Sequence, residues 1–237
     1  MKEKIVAQDL SHLKELVGSK IQKEGGNCDL NHIDTSLIKN MSFLFENSYF
    51  NGDISQWNTS NVKDMSFMFS LSDFNGDISG WNVSSVENMG GLFSHSPFKG
   101  DISHWDVSRV KNMKAMFRDS QFNGDISHWD VSKVENMNTM FHKSLFNGDI
   151  SGWDVSNVEC MNGMFANSHF NVDISSWNAL NVQSFNNIFF DCNAPVPYWV
   201  KIENNEERKL TIESHQQKKQ LDKQIIVPIK NTNIIKI

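Results

Sequence analysis

Cysteine, proline and tyrosine are scarce in this chain: 237 residues contain only three, four and two of them. Cys28, Cys160 and Cys192 form an odd, widely spaced set with no CxxC pair, which excludes a disulfide framework and a zinc knuckle. Long apolar runs are missing too. Nothing approaches the roughly 18 apolar residues of a membrane span, and Met1 to Leu10 lacks the apolar core of about 7–15 residues that marks a secretory signal. The expectation is a cytoplasmic protein, or one exported by a Sec-independent route. Concentrated positive charge is the third absence. Net charge is −6, and residues 50–193 carry 8 Lys/Arg against 16 Asp/Glu, while residues 194–237 carry 8 against 5. Phosphate backbones need a basic face, so nucleic acid is not an expected partner. No Ser-His-Asp set, P-loop or GxGxxG stands in the context its chemistry needs. Neither an enzyme nor a cofactor is expected.

What is present is periodic. Trp57, Trp81, Trp105, Trp129, Trp153 and Trp177 are each 24 residues apart. So are Asp53, Asp77, Asp101, Asp125, Asp149 and Asp173, each followed by Ile-Ser. A degenerate unit precedes these six: Asp29-Leu30 aligns with Asp53-Ile54, Ile33 takes the Trp position, and Met41, Leu44 and Phe45 align with Met65, Met68 and Phe69. The last unit drifts as well, with Val172 for Gly and Phe185 for Met, as terminal repeats do. A lone unit could not hide Phe50, Ile54, Trp57, Val62, Met65, Met68 and Phe69. Burying each is worth roughly 1.5–3 kcal/mol, and only neighbouring units supply the cover.

The fold class this predicts is a leucine-rich-repeat-like solenoid. Asn-Gly-Asp-Ile-Ser reads as a short strand. Val62-x-x-Met65-x-x-Met68-Phe69 has the spacing of a short helix, with Ser60 or Asp64 as its cap. The domain reading is a helical N-terminal cap over 1–25, seven repeats over 26–193, and a C-terminal flank over 194–237. Leu10, Leu13, Leu16 and Val17 share one face of the first helix, which Gly25-Gly26 ends. In the flank, Pro195 and Pro197 break the pattern, Tyr198 and Trp199 pack on the last unit, and 201–224 form a polar helix. The tail from Ile225 to Ile237 is either an added strand or loose.

The recurring Phe-Asn-x-Asp-Ile-Ser-x-Trp-Asp-Val-Ser-x-Val-x-Asn-Met-x-x-Met-Phe resembles the BspA-type leucine-rich-repeat family and the similar repeats of mycoplasma surface lipoproteins. The resemblance covers residues 26–193. It implies a bacterial interaction protein, often a surface protein or adhesin, whose partner is a protein on a host or bacterial surface. Gly52 stands where leucine-rich repeats usually carry a core Leu, so a flatter coil is expected.

Candidate sites follow from the columns. The Asp column is either a set of turn caps or a calcium ladder. The Trp column reads as core. His104 and His128 share a position in adjacent units, but two histidines make no complete metal site. Variable columns on a fixed scaffold form recognition surfaces. On that ground Gln56, His104, His128, Arg109 and Lys133 are the expected ligand-binding residues. Two alternatives of other classes remain. One is a calcium-stabilised structural repeat. The other is a delivered effector with Cys28 as nucleophile, because Cys28-Asp29 resembles the Cys-x-Asp of bacterial leucine-rich-repeat ubiquitin ligases, whose helical catalytic domain this sequence lacks.

Overall fold

The computed structural model describes residues 4–202 and 204–225. Its centre is a repeat protein of seven 24-residue units. Parallel β-bridges link Asn40, Asp64, Asn88, Asn112, Asn136, Cys160 and Ser184, each to the same position of the next unit. Strand β1 (Ile5–Val6) pairs in parallel with β2 (Ile33–Asp34) at the start of the first unit. Helix α1 (Leu10–Glu24) lies between them in sequence, and helix α2 (Asn205–Ile225) follows the last unit.

The strand and short helix expected in every unit are not there. Asn-Gly-Asp-Ile takes no regular structure apart from a single bridge from Asp29 to Asp53, and a turn begins at the Ser. The segment Val62–Phe69 is not a helix: it carries the bridge at Asp64 and then turns from Ser66 on. The reason lies in where its N–H groups go. Those of Met65, Phe67, Phe69 and Leu71 donate to the carbonyls of Asn88, Gly90, Leu92 and Ser94 in the next unit, at 2.8–3.0 Å. The intervening Met68 and Ser70 donate three residues back, to Met65 and Phe67. An α-helix would spend all these donors inside the segment. Here alternate residues are turned outward, and the turn needs left-handed backbone at Phe67 (φ 56°) and Leu71 (φ 54°). The same two positions are left-handed in every unit, from Phe43 and Asn47 to Asn187 and Asp191.

Three Asx turns shape the rest of the coil. Asp53, Asn58 and Asp64 each accept the N–H two residues on, from Ser55, Ser60 and Ser66, at 2.8–3.1 Å. Short polar side chains that satisfy nearby backbone groups favour such turns over helix or strand. Fully buried Phe, Ile, Trp, Val and Met columns fill the interior. Phe45, Phe69, Phe93, Phe117, Phe141 and Phe165 form one ladder of stacked rings, with centroids 5.7–5.9 Å apart. A second Phe ring folds back over its own unit, which explains the glycine two residues later: a Cβ at Gly100 would lie 2.7 Å from the Phe98 ring. In the first unit, where Gly26 replaces that Phe, the glycine position carries Cys28.

Both ends are closed by side chains. Asp9 caps α1 by accepting the His12 N–H at 2.9 Å, and Leu13 and Val17 bury against the first unit. At the other end Trp199, in the 3-10 turn Tyr198–Lys201, meets Phe185 edge-on at 6.2 Å. Arg208 of α2, only 1% exposed, lies 4.6 Å over the same ring and donates to the Val182 carbonyl. Ile212 is fully buried beside them. The expected flank helix thus begins at Asn205, capped by Asn204. The tail segment 226–237 lies outside the described residues.

Two substitutions probe this backbone. Gly100→Ala should destabilise by about 1–3 kcal/mol, since the new Cβ, 2.7 Å from the Phe98 ring, forces ring and backbone to shift apart. Thr139→Gly should stabilise by about 1 kcal/mol, because a β-branched residue there holds φ at 53° and that strain is relieved. Thermal unfolding measures both; a neutral Gly100→Ala or a destabilising Thr139→Gly contradicts the backbone geometry.

Candidate functional site

The Trp column is interior. The indoles of Trp57, Trp81, Trp105, Trp129 and Trp153 are 4% exposed and that of Trp177 is 1%. Each Nε1–H donates to the carbonyl of the Leu or Ile in the preceding unit, from Leu30 to Ile150, at 2.9–3.3 Å. This hydrogen bond satisfies the one polar atom of a buried indole and leaves no aromatic platform for a ligand.

The Asp column faces outward but is occupied locally. Oδ1 of Asp53, Asp77, Asp101, Asp125, Asp149 and Asp173 accepts the N–H of the Ser two residues on, at 2.8–2.9 Å. For the first five, that N–H and then the neighbouring side-chain hydrogen bonds hold the carboxyl below the usual carboxylate range. Among the described residues no group of three or more His, Cys, Asp or Glu side chains is placed to hold a metal ion. His104 and His128 are exposed, each beside the Asp of its own unit. Gln56 is exposed as well, its N–H donating to Asn31 Oδ1 at 2.8 Å. Cys28 is buried, and desolvation pushes its thiol pKa up, the reverse of an activated thiolate's surroundings.

Arg109 and Lys133 do come together. With Lys111 and Glu87 they line a cleft of about 220 Å³ on one flank of the stack. A second cleft of about 420 Å³ starts at Lys111 and Lys133 and runs to Asn205 and Lys209 of α2. Gln56, His104 and His128 line neither. Lys111 and Glu87 belong to a column that sequence reasoning passed over: Lys39, Lys63, Glu87, Lys111, Glu135, Glu159 and Gln183. Its charged residues of both signs, two residues from the Arg109 column, were the available signal. Lys63 and Glu87 form an ion pair at 3.3 Å, so Glu87 is engaged from the other side. Arg109, Lys111 and Lys133 have no ion-pair partner among the described residues.

A family model described as Mycoplasma protein of unknown function, DUF285, matches residues 13–121 and again residues 94–201. The chain belongs to this family. The two DUF285 matches run from inside α1 to the end of the 3-10 turn, so the family covers most of α1 and all seven units. No curated protein and no solved structure matches the chain. No helix among the described residues is long and apolar enough to cross a membrane.

The local engagement of the Asp column makes two predictions. Carboxyls whose pKa is lowered by folding stabilise the protein above their ordinary range near 4, and that contribution is lost as pH falls through the lower folded values. The column's contribution should therefore be level from about pH 5 to 7 and be lost below about pH 4, measured by denaturant unfolding, on top of a separate fall from about pH 7 that the half-buried His142 adds because burial lowers its pKa. Chelator should leave the melting temperature unchanged at pH 7. A fall of several degrees with chelator, restored by calcium, would show that the column holds metal instead.

Proposed function

We propose that this chain is a non-catalytic, protein-binding solenoid of the bacterial surface or of a host-interaction system. The observation that carries this reading is the joining of two variable-column residues, Arg109 and Lys133, in one cleft on an otherwise invariant scaffold. In repeat stacks, fixed interior columns set the frame and exposed variable columns supply recognition. The cleft gathers three cations, Arg109, Lys111 and Lys133, on a stack whose body is acidic, and charge of opposite sign to its surroundings gives a partner both orientation and rate. Resemblance to the BspA-type repeats, held by the same Phe, Trp and Met positions, supports an interaction role at a cell surface. The delivered-enzyme alternative is not favoured, because a buried thiol of raised pKa is a poor nucleophile.

The test is capture by the immobilised whole chain from host-membrane and bacterial-surface extracts. Arg109→Glu/Lys133→Glu should lose a partner that the parent chain retains, while His104→Ala/His128→Ala retains it. If both doubly substituted proteins keep every partner, this flank is not the binding surface.

A further inference from the structure

We infer that the groove along this flank accepts an extended, acidic segment of a partner protein, an inference that rests on the protein-binding reading and specifies its ligand. The two clefts share Lys111 and Lys133, so they form one channel. It crosses from the fourth unit, at Arg109, to α2, at Lys209. Parallel bridges space units by ~4.8 Å, so four units offer roughly 15–20 Å, the span of about five or six extended residues at ~3.3 Å each.

The charges in it are ordered. Arg109, Lys111 and Lys133 cluster at one end; none makes a salt bridge within 4 Å among the described residues, and Asp106 and Asp130 are the nearby carboxylates that Arg109 and Lys133 influence. Lys209 stands at the other, 3.9 Å from Glu206 of its own helix. Glu87, paired with Lys63, stands at the Arg109 end, Glu135 shares the fifth unit with Lys133, and Glu159 lies between that unit and Lys209. A segment with carboxylates at its first positions and a cationic or neutral residue further along matches this order. A uniform polyanion does not: its later phosphates would face Glu135 and Glu159, so nucleic acid is disfavoured by the same residues that favour a peptide of mixed charge. The wall adds main-chain recognition. Asn157 and Asn181 spend Nδ2 on the carbonyls of Ser132 and Ser156, both at 2.6 Å. Each Oδ1 is left as an acceptor that a peptide N–H can use.

The test uses the whole chain and a fluorescein-labelled hexapeptide, Glu-Glu-Glu-Ser-Lys-Ser, followed by anisotropy. Controls are the Gln-Gln-Gln-Ser-Lys-Ser peptide and a ten-nucleotide single-stranded DNA. The acidic peptide should bind at least tenfold more tightly than either control, and more weakly as salt rises. Lys111→Glu/Lys133→Glu should weaken it at least tenfold. Lys99→Glu, outside the groove, should leave it within twofold, and unchanged indole emission should show that each variant is folded. Equal binding of the acidic and amide peptides, tighter binding of the DNA, or full binding by Lys111→Glu/Lys133→Glu would overturn the inference. Such a result, with partner capture still dependent on Arg109 and Lys133, removes the acidic-peptide ligand alone. Loss of that dependence removes the protein-binding reading as well.

Discussion

The structure depends on a backbone hydrogen bond that no single unit can make for itself. Four alternate N–H groups of each of the first six units, such as those of Met113, Ala115, Phe117 and Asp119, end on carbonyls of the next unit. A further N–H, such as that of Lys111, points back to the unit before. Each of these bonds is worth only about 0.5–1.5 kcal/mol net. Leaving them unmade in a buried edge would cost more than making them gains, and that asymmetry forces units to stack. The apolar columns are a consequence of this arrangement. Once backbones are held one bond apart, identical side chains fall on one another: Phe rings stack from Phe45 to Phe165, and Trp57 stacks on Trp81 and Trp153 on Trp177.

The ends show the same constraint from the other side. Among the described residues, the N–H groups of Asn187, Phe189 and Asp191 in the seventh unit have no following carbonyls to meet. Closure there comes from side chains: Trp199, Arg208 and Ile212 cover the apolar interior, and Leu13 and Val17 do so at the first unit. A frame fixed in this way leaves the outer positions free to differ. Arg109, Lys133 and the charged column beside them vary without disturbing the ladder, since their backbone bonds are the same whatever side chain they carry. This independence is what makes a recognition surface on this frame physically reasonable.

Much of this was legible in the residues. The period, the interior columns, the helical caps and the pairing of Arg109 with Lys133 on one flank all follow from spacing. The conformation within a unit was not. Val62, Met65, Met68 and Phe69 have the spacing of a helix face, but apolar period says which side chains turn inward and nothing about the sign of φ. The missed signal was in the residues at the left-handed positions. Asn47, His95, Asp119, Asn167 and Asp191 occupy one of them, and Gly91, Gly163 and Asn187 the other, which are the types that tolerate that backbone most readily. Lys111 was missed for a different reason, since a mixture of Lys and Glu within a column resembles ordinary surface variation until the neighbouring column is placed beside it.

Residue-resolved amide hydrogen exchange reports the ladder directly. The N–H groups of Met113, Ala115, Phe117 and Asp119, and their equivalents in the inner units, should be among the slowest in the chain. Those of Asn187, Phe189 and Asp191 should exchange faster by orders of magnitude. Equally fast exchange at inner and last units, or protection that follows a helical pattern within each segment, would contradict the stacking of units through shared backbone bonds.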